Sequence, residues 1–323
     1  MIEVKNLSKK YGSHIAVKNV SFTVNDGEIL GFLGLNGAGK STIMNIMTGY
    51  LSMTTGTVSI NGYDILSEPS RAKKHIGYLP ELPPLYPDMT VKEYLSFMYD
   101  LKKVKLPKEP HIEEIVGLVQ LKEVYGRLIK NLSKGYRQRV GIAQALLGNP
   151  DVIILDEPTV GLDPRQIIEI RSLIHHLGRN HTVIVSSHIL SEIESVCDRI
   201  IVINGGNIIA DGKPSDLSKM IAGSDALSLR IKGSSTSVKV DALKLLGSIK
   251  GVTDVVCGGT VEPDTLDFNI FVESGCDVRA LVINRLIEQG YTVLSLSSGE
   301  LDLEQIFLRL TEENKSKLEE ENA

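Results

Sequence analysis

The 323 residues include 35 Lys and Arg against 40 Asp and Glu, a net charge of −5, and 42% of them are hydrophobic. This globular balance leaves room for two domains and excludes nucleic acid as the main partner, because a mildly acidic chain lacks the basic footprint. Three scattered cysteines, Cys197, Cys257 and Cys276, point to a reducing compartment and away from disulfides or a zinc site, and no apolar run reaches the ~20 residues that cross a bilayer.

The first residues, Met1-Ile2-Glu3-Val4-Lys5, alternate like a strand and lack the apolar core of a signal peptide. The chain itself is therefore expected to be soluble and cytoplasmic, while remaining free to sit on a membrane protein. Up to about Asn61 the pattern is strands with tight turns. Asp26-Gly27 separates Val20–Val24 from Glu28–Leu33, and Asn61-Gly62 predicts a hairpin turn after Thr57–Ile60. From Thr90 to Leu147 the pattern turns helical. Thr90-x-x-Glu93 is a capping box, followed by one apolar face of Val91, Tyr94, Leu95 and Met98. Val152–Leu155 then reads as a strand buried in a parallel sheet. Helices over Pro164–Leu177 and Ser191–Val196 alternate with strands at Thr182–Ser186 and Ile200–Ile203, giving an α/β core with a helical insertion. The composition shifts between Pro214 and Asp225. Beyond it, strands at Leu227–Ile231, Val252–Cys257, Leu266–Val272 and Thr292–Leu296 frame helices at Asp241–Leu246 and Val278–Gln289. That βαββαβ order predicts a small ferredoxin-like domain. Leu303, Ile306, Phe307 and Leu310 make an amphipathic helix before a polar tail.

Two segments carry chemistry. Gly34-Leu35-Asn36-Gly37-Ala38-Gly39-Lys40-Ser41-Thr42 follows the apolar run Ile29–Leu33 and precedes a helical pattern, the context in which Gly-x-x-x-x-Gly-Lys-Ser marks a phosphate-binding loop. Its glycines let backbone N–H groups turn inward, and the helix N-terminus adds its positive end. Lys40 would reach the β- and γ-phosphates of ATP, and the Ser41 hydroxyl would ligate Mg²⁺. The second segment is Val152-Ile153-Ile154-Leu155-Asp156-Glu157. A buried strand ending in two carboxylates presents them at the edge where parallel sheets bind ligands. Asp156 would hold Mg²⁺ through water, and Glu157 would polarise the attacking water.

With these motifs in this order, residues 1–220 resemble the nucleotide-binding domain of an ABC transporter, a P-loop NTPase with a helical subdomain at about 88–147. Leu132-Ser133-Lys134-Gly135-Tyr136 is similar to the family signature Leu-Ser-Gly-Gly-Gln, matching at Leu132, Ser133 and Gly135 and departing at Lys134 and Tyr136. The resemblance implies that Ser133 and Gly135 reach the γ-phosphate bound to an opposite subunit, and that the Gly161-Leu162-Asp163 loop crosses the same interface. It makes His188 the γ-phosphate sensor and Tyr11 the aromatic that stacks on adenine. It places Glu81 where the wider family carries a glutamine that contacts Mg²⁺ and the transmembrane partner. Asp163-Pro164 is also a strong helix start in its own right.

The expected protein is thus one ATP-binding subunit, working as a head-to-tail dimer on the cytoplasmic face of the membrane. It would hydrolyse ATP to drive transport, in the export direction, through a separate permease. Residues 225–300 would form an accessory domain and 301–323 a helix and tail. The rival reading is a soluble ABC ATPase acting on a non-membrane partner. It is disfavoured by the single phosphate loop and by the short segment between Lys40 and Ser133, which has no room for a long coiled coil.

Overall fold

Continuous apolar runs become the central strands of the fold in the computed structural model, which describes residues 1–215, 217, 224–233, 235–258, 262–273 and 275–298. The chain divides after Pro214 into two units. In the first, β3 (Ile29–Leu33), β6 (Ile76–Leu79), β7 (Val152–Asp156), β8 (Thr182–Ser187), β9 (Arg199–Asn204) and β10 (Asn207–Gly212) form a six-stranded sheet. Its order is β10-β9-β3-β8-β7-β6, parallel except for the antiparallel β10 edge. Every residue of β3, β7 and β8 is buried, as strands covered on both faces require.

A second sheet, antiparallel and four-stranded, joins β1 (Ile2–Tyr11), β2 (His14–Val24), β4 (Thr55–Ile60) and β5 (Tyr63–Asp64) in the order β2-β1-β4-β5. The expected hairpin at Asn61-Gly62 connects β4 to β5, with both turn residues at positive φ, 50° and 82°, the conformation that selects Asn-Gly. Helix α1 (Lys40–Met47) buries Ile43, Met44, Ile46 and Met47 in one apolar core shared with residues of both sheets. α1 is thereby fixed at its base, with its N-terminus at the end of β3.

After the short α2 (Pro69–Ala72), the helical insertion comprises α3 (Val91–Leu101), α4 (Lys108–Leu118) and α5 (Lys134–Leu146). The Thr90 capping box is complete, Thr90 Oγ1 accepting the Glu93 N–H at 3.2 Å while the Glu93 carboxylate accepts the Thr90 N–H at 2.8 Å. α5 packs tightly on β6 at Gly77, where a Cβ would stand 2.3 Å from the Ala145 carbonyl oxygen and 2.9 Å from Pro150 Cγ. Backbone cannot give way as a side chain does. Gly77→Ala is therefore expected to destabilise the unit by about 1–3 kcal/mol, read as a lowered Tm; an unchanged Tm would show that the helix shifts freely on the sheet. α6 (Pro164–Leu177) and the short α7 (Leu190–Glu194) complete the first unit. α7 starts one residue before the expected Ser191 and stops two short of Val196.

The second unit contains β11 (Ser224–Lys232), α8 (Thr236–Gly247), β12 (Val252–Cys257), β13 (Thr265–Glu273), α9 (Arg279–Glu288) and β14 (Val293–Ser298). Its antiparallel sheet runs β12-β13-β11-β14, the ferredoxin-like arrangement. Leu229, Ile231, Phe268 and Ile270 of the sheet share a core with Ala242, Leu246, Val282 and Leu286 of the helices. α8 starts five residues earlier than the expected Asp241, because Ser235 caps it by accepting the Val238 N–H. Thr236, Val238 and Val240 are β-branched, which hid that first turn from a propensity argument. The helix expected at Leu303–Leu310 and the tail to Ala323 lie outside the described residues.

Candidate functional site

Four loops leave the parallel sheet at one edge. Register places Leu33 beside Ser187, Asp156 beside Ser186, and Leu79 beside Leu155. The chain therefore delivers residues 34–39, Glu81, Glu157 and His188 from neighbouring strand ends. The loop of residues 34–39 depends on its glycines. Gly37 and Gly39 have φ of 84° and 112°, and a Cβ on Gly39 would stand 2.8 Å from the Ala16 carbonyl oxygen. A Cβ on Gly34 would stand 2.4 Å from the Ile203 carbonyl oxygen. Ala38 is buried while Asn36 and Gly37 are exposed. Gly39 supplies no side-chain cap to α1, which leaves the first-turn N–H groups, including those of Ser41 and Thr42, for an anion.

Around that turn stands a buried charged cluster. Lys40 Nζ donates to the carbonyls of Gly34 at 2.5 Å and Leu35 at 3.3 Å, and lies 3.7 Å from Glu157 Oε1. Burial pulls the Lys40 pKa below its ordinary value, against the opposing pull of Glu157, Asp156 and Glu81. Ser186 Oγ donates to Asp156 Oδ1 at 2.5 Å and accepts the Glu157 N–H at 2.9 Å. Ser41 Oγ lies 3.4 Å from the same Asp156 oxygen. His188 Nδ1 is 3.0 Å from Glu157 Oε2. Glu157 Oε1 is buried without a hydrogen-bond partner among the described residues, so it faces Lys40 with acceptor capacity unspent. Glu157 also sits at φ 49°, a backbone conformation that costs a residue with a side chain about 1–3 kcal/mol and gathers at functional sites. Lys40, Ser41, Asp156, Glu157 and His188, named from sequence, thus meet in one place. Glu81 is exposed just beyond β6 and enters through its field on Lys40.

The remaining sequence candidates lie elsewhere. Ser133 caps α5, its Oγ accepting the Tyr136 N–H at 3.3 Å, and Asp163 caps α6, its Oδ1 accepting the Gln166 N–H at 2.9 Å. Gly135 abuts Gln166, and Gly135, Asp163 and Gln166 line one cleft of about 750 Å³. Among the described residues, this group shares no hydrogen bond with the Lys40 cluster. Lys134, where the signature departs from glycine, extends its ammonium across Gly161, leaving no room for a Cβ there. Tyr11 ends β1, paired with His14 and 47% exposed, with Lys9 Nζ 5.2 Å from its ring centroid. Sequence reasoning passed over Ser186, one of two hydroxyl residues that follow the apolar run Val183–Val185 at the end of β8. It also passed over Thr159, Ser187 and Glu192, three buried polar residues joined behind the cluster.

Comparison with known proteins identifies the family. The family described as ABC transporter matches residues 17–160. The linearmycin resistance ATP-binding protein of Bacillus subtilis is 34% identical over 315 residues, 96% of this chain and 98% of that protein. The Nod factor export ATP-binding protein I of Rhizobium etli is 35% identical over 237 residues, 71% of this chain and 73% of that protein. A solved ATP-binding cassette, dimeric in a post-hydrolysis state with ADP and Pi, superimposes with a TM-score of 0.61 at 28% identity, covering 66% of this chain and 98% of that one. With a phosphate loop, a carboxylate-tipped strand and a relative matched almost end to end, this chain belongs to the ABC transporter family as an ATP-binding, ATP-hydrolysing subunit.

Proposed function

We propose that the chain is the motor subunit of an exporter and acts as a head-to-tail homodimer on a separate integral membrane permease, at the cytoplasmic face of the membrane. The observation that carries this is the division of the site. The Lys40 cluster and the Ser133–Gly135 turn are both well formed, yet belong to two separate groups, as halves completed by a second copy would be. The dimeric solved cassette and the relatives named for export and resistance support it. The ATP-binding domain would take residues 1–220, with its helical subdomain at about 88–147, and residues 225–300 would be accessory.

The residues have the following roles. Lys40 exchanges its bonds to the Gly34 and Leu35 carbonyls for the β- and γ-phosphates, and the amides of Asn36, Gly37, Ala38, Gly39, Ser41 and Thr42 add donors. Tyr11 stacks on the adenine. Glu157 polarises the attacking water and accepts its proton, and His188 orients that water against the phosphate. Ser133, Gly135 and Asp163 act on the partner copy's nucleotide. The hard oxygens of Ser41 and Asp156, only 3.4 Å apart, suit Mg²⁺: Ser41 would hold it directly, Asp156 through water, with Glu81 alongside. When bound, Mg²⁺ neutralises charge on the phosphate oxygens.

Glu157→Gln, tagged and purified from ATP-treated, detergent-solubilised cells, tests the partners. A stoichiometric multi-span membrane protein should copurify. Recovery of soluble complexes alone would overturn the transporter reading in favour of a soluble ATPase.

A further inference from the structure

Beside the Glu157–His188 contact lies a buried carboxylate with no role so far. Glu192 of α7 is 7% exposed. Its Oε2 accepts two hydroxyl protons, from Thr159 Oγ1 at 2.5 Å and from Ser187 Oγ at 3.0 Å. Ser187 Oγ in turn accepts the N–H of Ile189 at 3.0 Å. Thr159 follows Glu157 by two residues, and Ser187 and Ile189 flank His188. One carboxylate oxygen therefore grips the chain on both sides of the Glu157–His188 contact.

We propose that Glu192 is a positioning residue for ATP hydrolysis, holding the His188 loop and the Glu157 loop in register so that His188 stays on Glu157. The need for such a device is visible in the burial. The Glu157 side chain is 6% exposed, but that of His188 is 37% exposed, so packing alone does not fix the imidazole. Its placement depends on the backbone beneath it. That backbone is set by Ser187, whose hydroxyl is committed as donor to Glu192 and as acceptor to Ile189. On the other side, Glu157 holds a left-handed backbone that persists only where its surroundings over-determine it. Ser186 secures its N–H, and the Thr159–Glu192 bond secures the chain just beyond. Bonds from hydroxyls to a buried carboxylate are short and strong, and an acceptor shared by two loops couples their positions. Among the described residues, Glu192 makes no hydrogen bond to residues 34–42, so it acts on turnover and not on nucleotide capture.

The inference rests on the assignment of Glu157 and His188 to hydrolysis, and the experiment separates the two. ATPase rates of the full chain are measured across ATP concentrations for Glu192→Ala, Glu192→Gln, Ser187→Ala, His188→Ala, Glu157→Gln and the Glu192→Ala/His188→Ala pair. Glu192→Ala should lower kcat by about 10–100-fold, the cost of a misplaced catalytic group, with KM for ATP within about twofold. Glu192→Gln keeps an oxygen that accepts from both hydroxyls and should keep kcat within about threefold. In the His188→Ala background, Glu192→Ala should add little, because both changes remove one effect. A Glu192→Ala kcat within twofold of the parent overturns the proposal. So does a Glu192→Gln loss equal to that of alanine, or full multiplication of the two losses. If Glu192→Ala fails to fold by its melting curve, Ser187→Ala decides: a lowered kcat supports the clamp and an unchanged one refutes it. Parent-like turnover by Glu157→Gln would instead refute the site assignment itself.

Discussion

Glu157→Gln is expected to slow ATP hydrolysis by about 10²–10⁴-fold, the usual contribution of a general base, while ATP still binds. The amide keeps the volume and the acceptor toward His188 but gives up the basicity needed to take a proton from water. Binding survives because the donors for phosphate come from Lys40 and the residue 34–42 backbone, which the change does not touch. It also removes a carboxylate from beside Lys40 Nζ, 3.7 Å away, freeing the ammonium for phosphate. Nucleotide affinity should therefore hold or rise while single-turnover hydrolysis collapses. The two are measured by equilibrium binding of ATP and by phosphate release. Loss of both together would mean that Glu157 serves binding and not proton transfer.

The second large effect is expected at Lys40→Ala. A hydrogen bond to a charged group contributes about 1.5–3 kcal/mol, so ATP affinity should fall by about 10–150-fold, and turnover with it. The structure adds a consequence for the apoprotein. Lys40 is a buried cation set among Glu157 and Asp156. Removing it leaves those carboxylates without their countercharge, and breaking a buried pair in this way costs about 3–5 kcal/mol. Lys40→Ala should thus lower the Tm of the nucleotide-free chain, whereas Lys40→Ala/Glu157→Gln should recover part of that loss without recovering binding. Binding isotherms and melting curves on the same four proteins check both. Parent-like affinity in Lys40→Ala would refute the phosphate-loop assignment.

The parts of this molecule legible in sequence are those whose causes are local. Gly37 and Gly39 are required by their own positive φ. The caps Thr90, Ser133 and Asp163 each satisfy an N–H three residues on. What stayed hidden depends on strand order. β8 lies between β3 and β7, and only that insertion carries Ser186 onto Asp156 and Glu157, and Ser187 toward the Thr159–Glu192 bond. Along the chain, Glu192 reads as the polar side of a short helix between Leu190 and Ile193. Nothing in that spacing says that its carboxylate points inward. The exposed Tyr11 is the converse case: its sequence position is informative, while its ring, among the described residues, is neighboured by the Lys9 ammonium and not by the Lys40 cluster.

The left-handed backbone of Glu157 sets ease of the main chain against charge pairing and turnover at one position. Glycine accepts φ 49° freely, and asparagine more readily than glutamate, but either would leave the buried Lys40 ammonium short of a partner. The about 1–3 kcal/mol of backbone strain relieved is smaller than the about 3–5 kcal/mol lost when a buried pair is broken, so neither change should return a sturdier protein. Any programme to stabilise this subunit has to hold residue 157 fixed, because strain, countercharge and chemistry share that one side chain.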